Sequence, residues 1–126
     1  MKNIMITVEY DGTNYQGWQY QKHTDKTIQE TLEKKLSKLN KSKVDVIGAG
    51  RTDSGVHAEG QKANFYLDVS IPVNRIPIAL NSMLPADIVC KDAKIVDDNF
   101  HARYDSIAKK YRYRLLNRSY HSVFTR

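Results

Sequence analysis

Arg51, Asp53 and His57 stand within seven residues of one another, in the stretch Gly48-Ala49-Gly50-Arg51-Thr52-Asp53-Ser54-Gly55-Val56-His57-Ala58. One guanidinium, one carboxylate and one imidazole at this spacing can do nucleophilic or acid–base work. Arg51 and Asp53 are two apart, so extended backbone turns both side chains to the same side. A cation beside Asp53 would hold the carboxylate ionised, as a nucleophile or general base requires. The same residues also read as a glycine-rich turn, with Asp53 in an Asx-turn and Arg51 solvated. Residue types alone do not separate the two readings.

The flanking sequence says what must position this cluster. A β-branched run, Val44-Asp45-Val46-Ile47, leads in, and an alternating run, Ala63-Asn64-Phe65-Tyr66-Leu67, leads out. The polar cluster therefore sits on a loop between two strands, a common way to hold chemistry on a rigid frame. Gly48, Gly50 and Gly55 allow sharp turns and close approach.

Residues 2–9 alternate, with Ile4, Ile6 and Val8 on one side, which predicts a strand with one strongly apolar face. Asp11-Gly12-Thr13-Asn14 breaks it. Tyr15, Trp18 and Tyr20 follow in an aromatic-rich stretch. It reads either as a surface that stacks on bases or as a loop in which Trp18 caps the core. Thr27-Ile28-Gln29-Glu30 is a capping box, and Ile28, Leu32, Leu36 and Leu39 recur at helical spacing, predicting a helix that ends near Asn40. A strand over 43–48 precedes the Asp53 loop and a strand over 61–68 follows it. Asn74 reads as the N-cap of a second helix, with Pro77 in its first turn, Ile76 and Leu80 on its apolar face and its end at Pro85. A strand over 87–95, a polar turn at Phe100–Arg103 and a strand over 107–116 complete the chain. The order β-α-β-β-α-β with an added strand predicts an α+β, ferredoxin-like layout, a mainly antiparallel sheet with helices on one face.

Composition narrows the class. At 126 residues the chain is one domain with room for a core, and 40% hydrophobic and 27% charged residues are globular values. The formal charge of +6 points to a polyanionic partner such as nucleic acid, although a basic protein with no such partner fits it as well. The single Cys90 excludes an internal disulfide, fits a reducing cytosol and reads as a buried inert thiol. No apolar run approaches a membrane span, the strand pattern directly after Met1 predicts no signal peptide, and His and Cys are too few at ligand spacing to expect a zinc site.

Gly-Arg-Thr-Asp-Ser-Gly-Val-His-Ala resembles the signature of the tRNA pseudouridine synthase A family. Further blocks resemble that family in order along nearly the whole chain. They are Glu9-Tyr10-Asp11-Gly12-Thr13 with Tyr15 and Gly17-Trp18-Gln19; Ile28-Gln29-Glu30 with Leu32-Glu33; and Asn81 with Leu84-Pro85 and Asp87-Ile88. Phe100-His101-Ala102-Arg103 and Lys110-Tyr111-Arg112-Tyr113 close the series.

The resemblance implies that uridine is isomerised to pseudouridine in the tRNA anticodon stem-loop, at tRNA positions 38–40, without cofactor or metal. It makes Asp53 the catalytic carboxylate, attacking C1′ of the sugar or C6 of the base. Arg51 would keep Asp53 ionised and help open the RNA, and Tyr111 would pack against the target base. His101, Arg103, Lys110 and Arg112 are candidate RNA contacts; each also fits a turn or a solvated strand face. His57 reads as a hydrogen-bonded structural imidazole, and Tyr113 as a core aromatic. The family fold has two pseudo-symmetric halves in a cytoplasmic homodimer that holds tRNA across both subunits. This chain corresponds to the N-terminal half, with the second half absent, so that 1–126 forms one domain expected to be inactive by itself.

Two other readings compete with catalysis by Asp53. One is a non-catalytic RNA-binding domain of the same fold, which would not require the Arg51-Thr52-Asp53 trio with Tyr111. The other is an unrelated carboxylate enzyme such as a glycosidase, with Glu59 as the nearest second carboxylate.

Overall fold

In a computed structural model of the chain, which describes residues 1–50, 52–68 and 70–103, four strands form one sheet. They are β1 (Lys2–Tyr10), β2 (Ile47–Gly48), β3 (Ala58–Leu67) and β4 (Ile88–Ile95), with helices α1 (Ile28–Asn40) and α2 (Ile76–Asn81) in the connections. The strand order is β2-β3-β1-β4, and every pairing is antiparallel. This is the α+β, ferredoxin-like arrangement that the element order predicts.

Register explains which face the helices cover. Ile4 pairs with Phe65 and Ile6 with Ala63, so these side chains share one face. They belong to one buried cluster with Ile28, Leu32 and Leu36 of α1 and Ile76 and Leu80 of α2. α1 starts as its sequence predicts: the Thr27 hydroxyl accepts from the Glu30 N–H at 3.2 Å. The reciprocal carboxylate of the box has another partner, since Glu30 pairs with Lys34 at 3.1 Å.

Four local expectations shift, each for a visible reason. The strand over 43–48 shrinks to Ile47–Gly48, because α1 side chains take the place of a strand neighbour. Ser37 Oγ accepts the Val44 N–H at 2.9 Å and Glu33 Oε2 accepts the Val46 N–H at 2.9 Å, while Val44 and Val46 still enter the core. β3 starts at Ala58 rather than 61, since an irregularity between Val8 and Tyr10 lets Tyr10 pair with Ala58. Asn74 does not cap α2; it lies inside a 3-10 turn over Val73–Arg75, and Pro77 occupies the second helical position. α2 ends at Asn81, before Pro85, where the chain tightens into turns in which the Met83 and Leu84 N–H groups both donate to the Leu80 carbonyl at 3.0 Å. The Asn81 side chain ties this end to β4, donating to the Cys90 carbonyl at 2.9 Å and accepting the Cys90 N–H at 2.8 Å.

β1 is buried on its second face as well, where Asn3, Met5 and Thr7 are all nearly inaccessible. The chain after β4 folds over Asn3. Asn3 Nδ2 donates to the carbonyls of Asp97 (2.9 Å) and Phe100 (3.0 Å), Asn64 Nδ2 donates to Asn3 Oδ1 (3.0 Å), and the Ala102 N–H donates to Asn64 Oδ1 (2.8 Å). Two buried asparagines thereby find partners for their amide groups. Cys90 is buried as expected, and burial, with Asp92 nearby, pushes its thiol up to about 12, which leaves it an inert core group. Among the described residues no helix is long and apolar enough to cross a membrane. The strand expected over 107–116 lies outside the described residues.

Candidate active site

The loop between β2 and β3 folds back onto residues 10–18, the connection that leaves β1. The Trp18 N–H donates to the Thr52 carbonyl at 3.1 Å, and the Gly55 N–H donates to the Tyr15 carbonyl at 3.1 Å. The Ser54 hydroxyl donates to the same Tyr15 carbonyl at 3.3 Å, and Tyr10 and Thr52 share a hydroxyl–hydroxyl bond of 2.7 Å. Within the loop, the Val56 N–H donates to the Asp53 carbonyl at 3.1 Å and closes the turn. Almost every anchor is thus a backbone group or a hydroxyl. Such a site is fixed by geometry rather than by apolar burial.

Two glycines make the approach possible. A Cβ at Gly12 would stand 1.9 Å from the Val56 carbonyl oxygen, and a Cβ at Gly48 would stand 2.4 Å from the Trp18 ring. Trp18 is 2% exposed and lies 6.1 Å from the Tyr10 ring, so it is the floor beneath the loop and not a surface for stacking bases. Tyr15 is also buried, and Tyr20 is the exposed aromatic of that stretch.

Tyr15 ties the loop to a third element. Its hydroxyl donates to Asp87 Oδ1 at 2.7 Å, just before β4, while the Asp11 N–H donates to the Asp87 carbonyl at 3.0 Å. Burial first, then the Asp87 carboxylate, holds the Tyr15 hydroxyl above the ordinary tyrosine range, so it stays a donor. Burial likewise raises Tyr10, partly offset by its bond to Thr52. Neither tyrosine stood out in the sequence as a loop anchor. The usable signal was position: both flank the Asp11-Gly12 break that a returning loop can pack against.

Asp53 itself is exposed, on the wall of an open cavity of about 420 Å³ that it shares with Gln16, Gly17, Gln19, Gln21, Thr52 and Ser54. Its carboxylate is therefore presented to solvent from a backbone that is pinned on both sides. Glu59 lines a different cavity, of about 370 Å³, with Glu9, Tyr10, Asp11, His57 and Asp87. That separation speaks against a glycosidase pair of Asp53 and Glu59. His57 is a hydrogen-bonded imidazole, as its place in the motif suggested: its Nδ1 accepts the Gly12 N–H at 2.8 Å.

The other sequence candidates divide into two groups. Arg51, Lys110, Tyr111 and Arg112 lie outside the described residues. His101 and Arg103 are half-buried in the turn that Asn3 and Asn64 hold on the sheet. Asn64, which anchors that turn, is six residues along β3 from Ala58, where the Asp53 loop rejoins the sheet. The two anchor points are roughly 20 Å apart at strand rise.

Comparison with known proteins agrees with this architecture. A family model described as tRNA pseudouridine synthase matches residues 6–105. The tRNA pseudouridine synthase A of Thermoanaerobacter sp. (strain X514) is 55% identical over 120 residues, covering 95% of this chain and 49% of that protein. Its namesake in Acetivibrio thermocellus is 52% identical over 126 residues, covering 100% of this chain and 51% of the relative. The namesake in Clostridium acetobutylicum is 48% identical over 118 residues, covering 94% and 48%. The chain spans about half the length of the curated relatives it matches. With an identity near one half along almost its full length and a family match that runs from within β1 through the Asp53 loop to residue 105, the chain belongs to the tRNA pseudouridine synthase family.

Proposed function

We propose that this chain is the N-terminal half of a synthase that isomerises uridine to pseudouridine in the anticodon stem-loop of tRNA, with Asp53 as the nucleophile. The observation that carries the reading is the exposed Asp53 carboxylate on a loop held from both sides by residues 10–18, at the wall of an open cavity. A pinned backbone lets an attacking carboxylate meet its target without first ordering the loop. The neutral amides of Gln16, Gln19 and Gln21 share that wall and can donate to or accept from a base edge or a phosphate.

The reaction breaks the N1–C1′ bond of the target uridine, turns the uracil and rejoins it to the sugar through C5. Asp53 attacks C1′ or C6 to open the route, Arg51 holds the carboxylate ionised and Tyr111 packs against the base. The base must leave its stack, at a cost of a few kcal/mol that aromatic packing offsets in part. The active form is a cytosolic homodimer of two-half subunits that holds tRNA across both. His101, Arg103, Lys110 and Arg112 contribute RNA contacts, and the formal charge of +6 favours that polyanion.

The test is tritium release from tRNA carrying 5-³H-uridine, because the C5 hydrogen leaves only when the new carbon–carbon bond forms. Asp53→Ala in the complete two-half enzyme is expected to bring release to background while tRNA affinity stays within about threefold, since the change removes a nucleophile and no anchor of the loop. Measurable release by Asp53→Ala would refute the assignment.

A further inference from the structure

Among the described residues, His57 is the one ionisable side chain of the Asp53 loop beyond Asp53 itself, and nothing in the proposed chemistry uses it. Its Nδ1 lies 2.8 Å from the Gly12 nitrogen, and the Gly12 N–H points at it. A backbone N–H carries one proton and can only donate. Nδ1 accepts that bond through its lone pair, which in a neutral ring puts the proton on Nε2. The same Nδ1 lies 3.1 Å from Asp11 Oδ1. That carboxylate already accepts the Thr13 N–H (3.0 Å) and the Thr13 hydroxyl (2.6 Å), so it sits fixed beside the ring. These bonds, the hydroxyl first, keep Asp11 below the usual carboxylate range, and it remains an anion.

We propose that neutral His57 is a positioning residue for Asp53: its Nδ1 clamps the Asp53 loop to the end of β1 through the Gly12 N–H, and a proton on Nδ1 hands the ring to Asp11 and releases that clamp. The inference rests on reading Asp53 as the catalytic carboxylate. It deepens that reading by naming what holds the carboxylate in register. Geometry argues for a clamp and not a mere neighbour. Gly12 and Val56 are so close that no Cβ fits between them, so the loop and the β1 end meet backbone to backbone, beside this bond. A protonated Nδ1 would turn this acceptor into a donor, and the Gly12 N–H would lose its partner while Asp11 gained one.

The groups around the imidazole set the sense of the switch. Glu9 and Tyr10 on β1, Asp11 beyond it, Glu59 on β3 and Asp87 before β4 line the cavity that His57 shares. Lys91 on β4 is occupied elsewhere: it pairs with Glu9 at 3.7 Å and donates to the Glu59 carbonyl at 3.0 Å. A cation on His57 would thus be received by Asp11, and acid would loosen the loop.

Two substitutions in the complete enzyme test this. His57→Asn keeps an acceptor, its Oδ1, within reach of the Gly12 N–H but cannot become a cation. His57→Ala removes the acceptor. Steady-state kinetics on tRNA should give His57→Ala a kcat lower by about tenfold with KM within about twofold, the loss expected for one positioning hydrogen bond. His57→Asn should recover to within about threefold of the unsubstituted enzyme and should hold its kcat to lower pH, down to the range where Asp53 itself takes a proton. An Asn variant as slow as the Ala variant, an effect confined to KM, or a pH dependence of kcat identical in the Asn variant and the unsubstituted enzyme would each overturn the proposal.

A second measurement separates this inference from the Asp53 reading. Imidazole nitrogen shifts of the ¹⁵N-histidine-labelled chain, assigned by their loss in His57→Asn, should report the Nε2–H tautomer. An Nδ1–H tautomer overturns the clamp alone. Undiminished turnover by Asp53→Ala, with the Nε2–H tautomer in place, overturns the Asp53 assignment and with it the positioning role, leaving the hydrogen bond to Gly12 as a structural contact.

Discussion

Around Leu32 the molecule is held by apolar contact, and around Asp53 it is held by hydrogen bonds. Leu32 is fully buried among Ile6, Ile28, Leu36, Phe65 and the other residues of one cluster that joins α1, α2 and one face of the sheet. Asp53 stands exposed, and its loop is fixed by two backbone bonds to residues 15 and 18, a hydroxyl pair at Tyr10 and an imidazole at Gly12. Apolar burial is non-directional and tolerates small shifts; a set of hydrogen bonds specifies position to a few tenths of an ångström but adds little net stability. The fold and the placement of the carboxylate are therefore separable properties. Substitutions should move one without the other.

The largest effect should come from the apolar region. Leu32→Ala leaves a cavity against the middle of the sheet and should lower the unfolding free energy by about 2–5 kcal/mol. Urea unfolding of the chain should show a lower midpoint at unchanged slope. A loss under about 1 kcal/mol would mean that Leu32 is not the keystone that its burial implies.

Gly12→Ala should do the opposite. Its methyl group would meet the Val56 carbonyl at 1.9 Å, with backbone on both sides, so the Asp53 loop must lift from the end of β1. Pseudouridine formation by the complete enzyme should fall by more than about tenfold. The unfolding midpoint should move little, because the apolar cluster does not include this contact. Equal losses of stability and activity would show that the two regions are coupled, and the separation drawn here would fail.

The same difference explains what could be read from the sequence. Apolar periodicity is repeated over many residues, so α1, the alternation of β1 and the α+β class were legible, as was the cap at Thr27. Hydrogen bonds between residues distant in sequence leave no such pattern. Nothing in Ser37 or Glu33 announces that they replace a strand partner for Val44 and Val46, and so the strand is shorter than the β-branched run over 43–48 implies. Asn74 had the right residue type for a cap, but Pro72 and Pro77 fix the backbone around it, and a 3-10 turn forms there instead. The Asp53 motif was visible as a cluster of chemistry. Its anchors were hidden, because Tyr10, Tyr15 and Trp18 carry the same letters whether they stack on RNA or brace a loop.

The smallest effect concerns Glu33, where the two kinds of force meet. Its Oε2 accepts the Val46 N–H at 2.9 Å and a Gln29 amide hydrogen at 3.2 Å, beside the apolar cluster. Partial burial raises its carboxyl above the usual range, and these two bonds offset part of that rise. The sign follows from linkage. The folded chain binds a proton at Glu33 more tightly than the unfolded chain does, so this group's contribution to stability falls as pH rises out of the ordinary glutamate range through its raised value. Glu33→Gln keeps an oxygen for both donors and removes the charge. The variant should match the unsubstituted chain at acid pH and exceed it at neutral pH, by no more than a few tenths of a kcal/mol for a half-exposed group. Urea midpoints for the pair, measured in steps from pH 4 to pH 7, give the comparison. A variant that is less stable at neutral pH would mean that the charge strengthens the bond to Val46 by more than its burial costs, and the lead into the Asp53 loop would then be held electrostatically.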